Sequence, residues 1–313
     1  MTKLIGRLVS VGIGKESTRG TPVTPTYWVP WMELNADQKN EMINDEQSMA
    51  RIEDSDAANI VSSWSEGTIN GKMKDQSLGL ILLSLLGTDT PAVVEADEVW
   101  DHVFTVAQNV SHQSLTIVKK DANQDVAFPG SVIDSLKLNV ELGSYVTYEA
   151  NFMGKKEVDD SNTVAFTAER DFVPQYFQFK RATTAAGLDA ASASTIRQLT
   201  LEIKTNVAKD DVLGSVDPAD INNQHFIVEG EITVRHNDQT YKDLQNNETY
   251  NAFRFDLTHP DVIGAASAPR LRIDLNRCRV FDYERSESQN ELIEETFAFK
   301  AYYSLADSKM ITA

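Results

Sequence analysis

The sequence holds one cysteine, Cys278, and no long apolar run. A lone thiol excludes an intrachain disulfide and a thiolate metal cluster. Within RIDLNRCRVF it is expected as a small buried hydrophobe in a strand. The longest apolar stretch, residues 78–86, is broken by Gly79 and Ser84 and falls well short of the roughly 20 residues that span a bilayer. The opening MTKLIGRLVSVGIGKES has no apolar segment of signal-peptide length, so none is expected. Positive charge is also scarce, with 29 Lys and Arg against 47 Asp and Glu, a net charge of −18. The densest basic spots are the lysine pairs at 119–120 and 155–156. Phosphate neutralisation, the main source of nucleic-acid affinity, has no basic surface to work from. Solubility accounts for the acidic excess, and so does a surface that must not hold DNA.

Catalytic constellations are missing too. The five histidines (102, 112, 225, 236 and 259) include no pair three or four residues apart, so no helical metal pair exists. No G-x-S-x-G elbow is present. GIGKES, residues 12–17, fails as a phosphate loop: Val9 stands where a glycine is required, and Glu16 follows Lys15. The carboxylate clusters EDSDAAN (53–59) and KDDVLGSVDPAD (209–220) lack the spacing and closing Glu of a calcium loop. No enzymatic activity, metal or cofactor is expected.

What remains is a globular chain with 41% hydrophobic and 24% charged residues. Alternation dominates it. In DSLKLNVEL, Leu136, Leu138 and Val140 fall on one side and Lys137, Asn139 and Glu141 on the other, which predicts a strand. ELGS, 141–144, reads as the hairpin turn into SYVTYEANFMG. IRQLTLEIKTNV is a strand by Leu199, Leu201 and Ile203. A helix is predicted over 76–86, capped by Asp75 and Gly87. A weaker helical turn lies in DQTYKDLQNN, with Tyr241 and Leu244 its apolar letters. Pro22, Pro25 and Pro30 keep the first thirty residues extended, as an arm. Residues 35–63 are polar, show no strict period, and read as a long loop ordered by a partner.

One stretch occurs twice. EGTINGKMKDQS at Glu66 sounds again as EGEITVRHNDQT at Glu229, with five identities in twelve positions, all at an offset of 163 residues. The order strand, short helix, strands, hairpin also repeats. The expected fold is mostly β: two tandem units of one design, each a β-sandwich or barrel with a flanking short helix. The divisions are an arm over 1–30, a first unit over 31–174 and a second over 175–313.

The N-terminal VGIGKESTRGTPVTPTYWVPW, through Gly12, Gly14, Lys15, Glu16, Gly20, Tyr27, Trp28 and Pro30, resembles the start of the major tail tube proteins of long non-contractile-tailed bacteriophages. VEGEITVRH, the preceding LGSVDPADI, and SVIDSLKLNVELGSYVTYEANFMGKK resemble the same family. The resemblance implies a structural virion protein whose copies close into rings that stack into a hollow tube. A doubled chain implies trimeric, pseudo-hexameric rings, or alternatively hexameric ones. The implied partners are further copies, a tape measure protein and a tail terminator. DNA would only pass through an acidic channel, and no membrane is involved. The implied location is the virion tail, with the host cytoplasm during assembly. Candidate lumen-facing residues are Glu141, Glu149, Asp274 and Glu295. Candidate inter-ring contacts are Tyr27, Trp28, Trp31, Met42 and Ile43. Another virion part, a decoration protein or tail terminator, or a monomeric β-sandwich binding module remain the alternatives.

Overall fold

The computed structural model describes residues 5–54, 57–95, 99–287, 289–290 and 292–313. Strands β1 (Ser10–Lys15) and β2 (Tyr27–Val29) come from the N-terminal segment. The hairpin β3 (Trp31–Asn44) and β4 (Ala58–Lys72) leads to helix α1 (Gly79–Leu86) and the hairpin β5 (Gly87–Glu95) and β6 (Val99–Val106). Then follow β7 (Leu115–Lys120), β8 (Asp125–Glu141), β9 (Thr147–Gly154) and the short β10 (Val158–Asp159). The remainder is β11 (Phe177–Ala182), β12 (Ala193–Ser194), β13 (Ile196–Lys204), a small hairpin β14 (Ala208–Asp210) and β15 (Asp220–Asn222), β16 (Ile227–Arg235), α2 (Thr240–Asn246), β17 (Asn251–Thr258), β18 (Arg270–Ser286), β19 (Glu294–Ala301) and β20 (Ile311–Thr312).

Strand pairing builds one long antiparallel sheet in the order β3–β4–β9–β8–β13–β16–β19–β18. Two outer sheets pack over its apolar face, giving a sandwich. The first is β2–β1–β7 with the N-terminal half of β8. The second is β11–β17 with the N-terminal half of β18, extended by β20 and the β6–β5 hairpin. Among the described residues no barrel closes.

Strands β8 and β18 belong to both layers, which requires each to bend. Each carries a β-bulge, between Ile133 and Ser135 in one and between Phe281 and Glu284 in the other. A bulge sharpens the local twist and frees a backbone N–H. The helices supply the missing acceptors: Ile133 N donates to Ser84 Oγ of α1 (3.2 Å), and Tyr283 N donates to Gln245 Oε1 of α2 (2.8 Å). The helices fill the sandwich. Ile81, Leu82, Leu85 and Leu86 of α1 are buried, and Tyr241 of α2 stacks on Phe297 at 4.3 Å. The alternations hold as expected, with Leu136, Leu138, Val140, Leu199, Leu201 and Ile203 all in the core. Cys278 is buried, which pushes its thiol well above the ordinary range.

Glycine is required at two matching places. A Cβ on Gly67 would stand 2.3 Å from the Asn35 carbonyl and 2.7 Å from the Phe152 ring. A Cβ on Gly230 would stand 2.3 Å from the Thr200 carbonyl and 2.7 Å from the Phe299 ring. In both cases an aromatic ring lies across a glycine of the neighbouring strand.

Three expectations are corrected. The arm expected over 1–30 is not free where it is described (residues 1–4 lie outside the described residues): β1 is sandwiched between β2 and β7, and Val11, Ile13, Trp28 and Val29 are buried. Glu16 explains why the segment stays down. It is 3% exposed and accepts hydrogen bonds from Ser114 Oγ, Thr116 Oγ1, Gly130 N and Gly20 N, at 2.6–2.9 Å. Within the expected 35–63 loop, residues 35–44 and 58–63 are instead paired strand of the β3–β4 hairpin, whose polar residues suit an exposed β3 and an exposed start of β4 (residues 55–56 lie outside the described residues). Helix α1 starts at Gly79, because Asp75 accepts from Arg170 N (3.1 Å) and so is not the cap. Gly87 does close it in the left-handed conformation, φ 89°.

The β5–β6 hairpin acts as a strap from the first half of the chain to the second. Glu95 at its end accepts from Ser267 Oγ (2.6 Å) and from the backbone N–H groups of residues 265, 266 and 267. Those donors, the Ser267 hydroxyl foremost, hold its carboxyl at about 2, below the ordinary 4.5. A lowered folded value means that the contact stabilises fully above the unfolded value and is lost as pH falls through the folded one. The Glu95 side-chain carboxyl is therefore expected to titrate with an NMR midpoint near 2; a midpoint near 4.5 removes the strap contact. Separately, Gly230→Val must displace the Phe299 ring. It is expected to cost about 1–3 kcal/mol in urea unfolding, as overpacking does; an unchanged midpoint contradicts the close approach.

Candidate functional site

Period-two alternation means that the face of the long sheet opposite the core carries every other residue of eight strands. The register aligns them across the sheet. Asn70 lies opposite Glu149, Glu149 opposite Lys137, Lys137 opposite Glu202, Glu202 opposite Glu229, and Glu229 opposite Lys300. Thr68, Asn151, Asn139, Thr200, Thr233 and Thr296 occupy the same face. Carboxylates (Glu33, Asp37, Glu66, Glu141, Glu149, Glu202, Glu229, Glu231, Glu284 and Glu294) outnumber the cations on it.

Several of those cations are already engaged. Lys204 pairs with Glu202 (2.9 Å) and Glu229 (3.5 Å), Arg197 with Glu294 (2.7 Å), and Lys39 with Glu66 (3.9 Å). Trp64, the large ring on this face, is covered by the Lys209 ammonium 4.0 Å from its centroid. The result is a wide polar wall, acidic on balance, with no basic track to grip phosphate and no apolar shelf for bases to stack on.

The wall ends in two open strand edges. Among the described residues β3 pairs with β4 alone. The C-terminal half of β18 pairs with β19 alone, because β17 and β20 bond only to its N-terminal half. On the β3 edge the Lys119 ammonium donates to the Ala36 carbonyl (2.8 Å) and to Asp37 Oδ1 (2.9 Å). A lysine over an unpaired edge is a common guard against promiscuous strand addition.

The third feature is the far half of the β3–β4 hairpin. Met42, Ile43, Ile60 and Val61 are exposed there, as are Met49 and Ile52 in the turn. Its root is fastened to the second half of the chain. Ser63 N donates to Val216 O (2.7 Å), and Lys209 Nζ donates to Ser62 Oγ (2.8 Å) and pairs with Glu41 (3.3 Å).

The expected site residues divide accordingly. Glu141 and Glu149 stand on the wall, and Met42 and Ile43 on the exposed hairpin. Glu295 is 1% exposed and hydrogen-bonds His236, so it presents no charge to any surface. Asp274 lies in the outer layer, where Arg254 grips both its oxygens at 2.6 and 2.8 Å. The three aromatic residues are used internally. Tyr27 donates to Glu169 Oε1 (2.8 Å), Trp28 is 4% exposed beside Val118, and Trp31 Nε1 donates to Val9 O (2.9 Å). Burial pushes the Tyr27 phenol far above its ordinary value. Sequence reasoning missed Ile60 and Val61, although pairing them with Met42 across a hairpin needed only the strand assignment.

A groove of about 490 Å³ lies between residues 105–112 and residues 303–311. Its histidine, His112, has one ring nitrogen against the Leu85 carbonyl and the other against that of Ala107. Among the described residues no cluster of His, Cys, Asp and Glu could hold a metal ion, and no helix is long and apolar enough to cross a membrane.

No curated protein matches the sequence. A family model described as phage tail tube protein matches residues 6–301, nearly the whole chain. A mostly-β sandwich with a broad polar sheet face and open strand edges suits a structural virion component, and the chain belongs to the phage tail tube protein family.

Proposed function

We propose that the chain is two tandem tube units, and that three copies close into a pseudo-hexameric ring whose rings stack into the tail tube. The observation that carries this reading is the long sheet. It consists of two four-stranded blocks of one order, β3–β4–β9–β8 and β13–β16–β19–β18, joined where β8 pairs with β13. Three further likenesses support duplication. Gly67 under Phe152 matches Gly230 under Phe299. Ser84 serving the β8 bulge matches Gln245 serving the β18 bulge. The two bent strands are both 17 residues long.

The join leaves one block with a free first strand and the other with a free last strand. Such a surface is heterologous, and it closes into a ring when the rotation allows. The polar wall would then line the bore, with Glu141 and Glu149 among its charges. DNA would slide past without counterion-releasing contacts. Screening leaves each charge a reach of roughly 8 Å, so only wall residues matter to the passing strand. The exposed hairpin apolar residues would contact the adjacent ring along the axis. A tape measure protein would occupy the bore before ejection and a tail terminator would cap the stack, with assembly in the host cytoplasm.

Negative-stain microscopy of the purified chain is expected to show hollow cylinders. Deleting residues 46–53, the turn of the hairpin, is expected to leave rings that no longer stack. Monomers from the intact chain contradict the reading, and full-length tubes from the deletion remove the hairpin from the axial contact. Glu141→Lys with Glu149→Lys and Glu231→Lys is expected to make assembled tubes retain DNA at low salt; tubes that still release it would place these residues outside the bore.

A further inference from the structure

The chain contains a worked example of how one block receives the next. At the internal join β8 and β13 run antiparallel, with Lys137 opposite Glu202, Leu138 opposite Leu201, Asn139 opposite Thr200 and Val140 opposite Leu199. Thr200 Oγ1 and Asn139 Oδ1 are 3.3 Å apart across it.

The duplicated glycines and their rings fix which residues correspond between blocks. Gly67 pairs with Ala36 on one side and Phe152 on the other. Gly230 pairs with Leu201 and Phe299. Ala36 therefore corresponds to Leu201, and Asn35 to Thr200. Beyond the ring-bearing strands, Lys137 pairs with Glu149 and Glu284 pairs with Thr296, two strand positions equally far from Phe152 and Phe299. Glu284 therefore corresponds to Lys137, and Ser286 to Asn139.

Resting on the tube reading above, we infer that the β18 edge takes the β3 edge of a second copy of this chain in the register of the internal join. Asn35 of one copy then lies opposite Ser286 of the other, Ala36 opposite Arg285, and Asp37 opposite Glu284. The occupant is a second copy because each open edge belongs to the strand that corresponds in register to one of the two strands of the internal join.

Two pairs differ in charge from their templates: Arg285 opposite Ala36 adds a cation where Leu138 faces Leu201, and the other pair is repulsive. Internally Lys137 faces Glu202, whereas Asp37 would face Glu284, and like charges directly opposite are unfavourable. Lys119 resolves the conflict. Its ammonium already sits on Asp37 and on the Ala36 carbonyl at this edge. Arrival of the second strand takes over the carbonyl and leaves that ammonium between the two carboxylates. Lys119 thus guards the edge in the free chain and neutralises the seam in the assembled one. The internal join carries the charge of Lys137 on the strand itself and needs no such residue.

Paired cysteines test the register in the full-length chain. Directly opposite residues in an antiparallel pair have Cβ atoms about 4.5–5.5 Å apart, while diagonal neighbours are about 7–8 Å away, beyond the reach of an unstrained disulfide. Asn139→Cys with Thr200→Cys is the internal control, expected to oxidise within one chain. Asn35→Cys with Ser286→Cys is expected to oxidise between chains, giving linked species up to the closed ring on a non-reducing gel. The shifted pairs Asn35→Cys with Glu284→Cys and Asp37→Cys with Ser286→Cys are expected to stay unlinked. Cys278 is buried and takes no part.

Linkage of a shifted pair in place of the matched one, in particles that are still rings by microscopy, overturns the register and leaves the tube reading standing. Absence of rings from the unsubstituted chain overturns the tube reading itself. Should the cysteine variants fail to assemble, carbodiimide on assemblies of the unmodified chain gives the same answer. A mixture of isotope-labelled and unlabelled copies should yield a mixed Lys39 to Glu284 or Asp282 cross-link by mass spectrometry. Its absence from intact rings overturns the register.

Discussion

A backbone N–H or C=O on a strand edge must find a partner, and this fold leaves two edges of its longest sheet without one. All else in the molecule is arranged around that condition. The internal edges are fully used: β8 bonds to β9 and β13, and β16 to β13 and β19. The two terminal edges are complementary in sense, and the β3 edge is held under a lysine. A sheet of this kind is a stable subunit and at the same time a building element, which is the combination a tube protein requires.

The sandwich is made rigid by a few local devices. Each bent strand changes layer at a bulge, and each bulge is served by a side chain from the helix above it. The buried Glu16 carboxylate pins the N-terminal segment, and the Glu95 strap ties the first half of the chain to the outer layer of the second. Arg19 adds a third tie, pairing with Asp220 at 2.6 Å. The Glu95 and Arg19 ties join the first half of the chain to the second, whereas Glu16 holds residues of the first half alone. They act in the outer layer and leave the long sheet free to continue at either end.

Much of this was legible in the sequence because strand alternation and glycine punctuation are local. The β8 and β13 patterns, the ELGS turn and the second helix all appear where the letters place them. The recurring stretch was legible in the letters, and its glycines, Gly67 and Gly230, both lie where an aromatic ring crosses the strand. The long hairpin was not legible, since β3 is exposed along most of its length and β4 over its first four residues, so that neither carries an apolar period there. Glu295 was misplaced on the surface because alternation cannot distinguish a charged letter paired with a buried histidine from one facing water. Asp274 was misplaced for a different reason: β18 changes layers midway, and only pairing partners reveal where. The aromatic residues of the N-terminal segment looked available for neighbours, and their own sandwich consumes them.

Hydrogen exchange of the assembled protein against the dispersed chain measures the central claim directly. If the two open edges are satisfied by other copies, amides of residues 33–39 and 279–286 become strongly protected on assembly, while those of the exposed loop 211–215 do not change in step. Equal exchange at both edges in the two states would mean that the sheet never continues beyond a single molecule, and the account would fail.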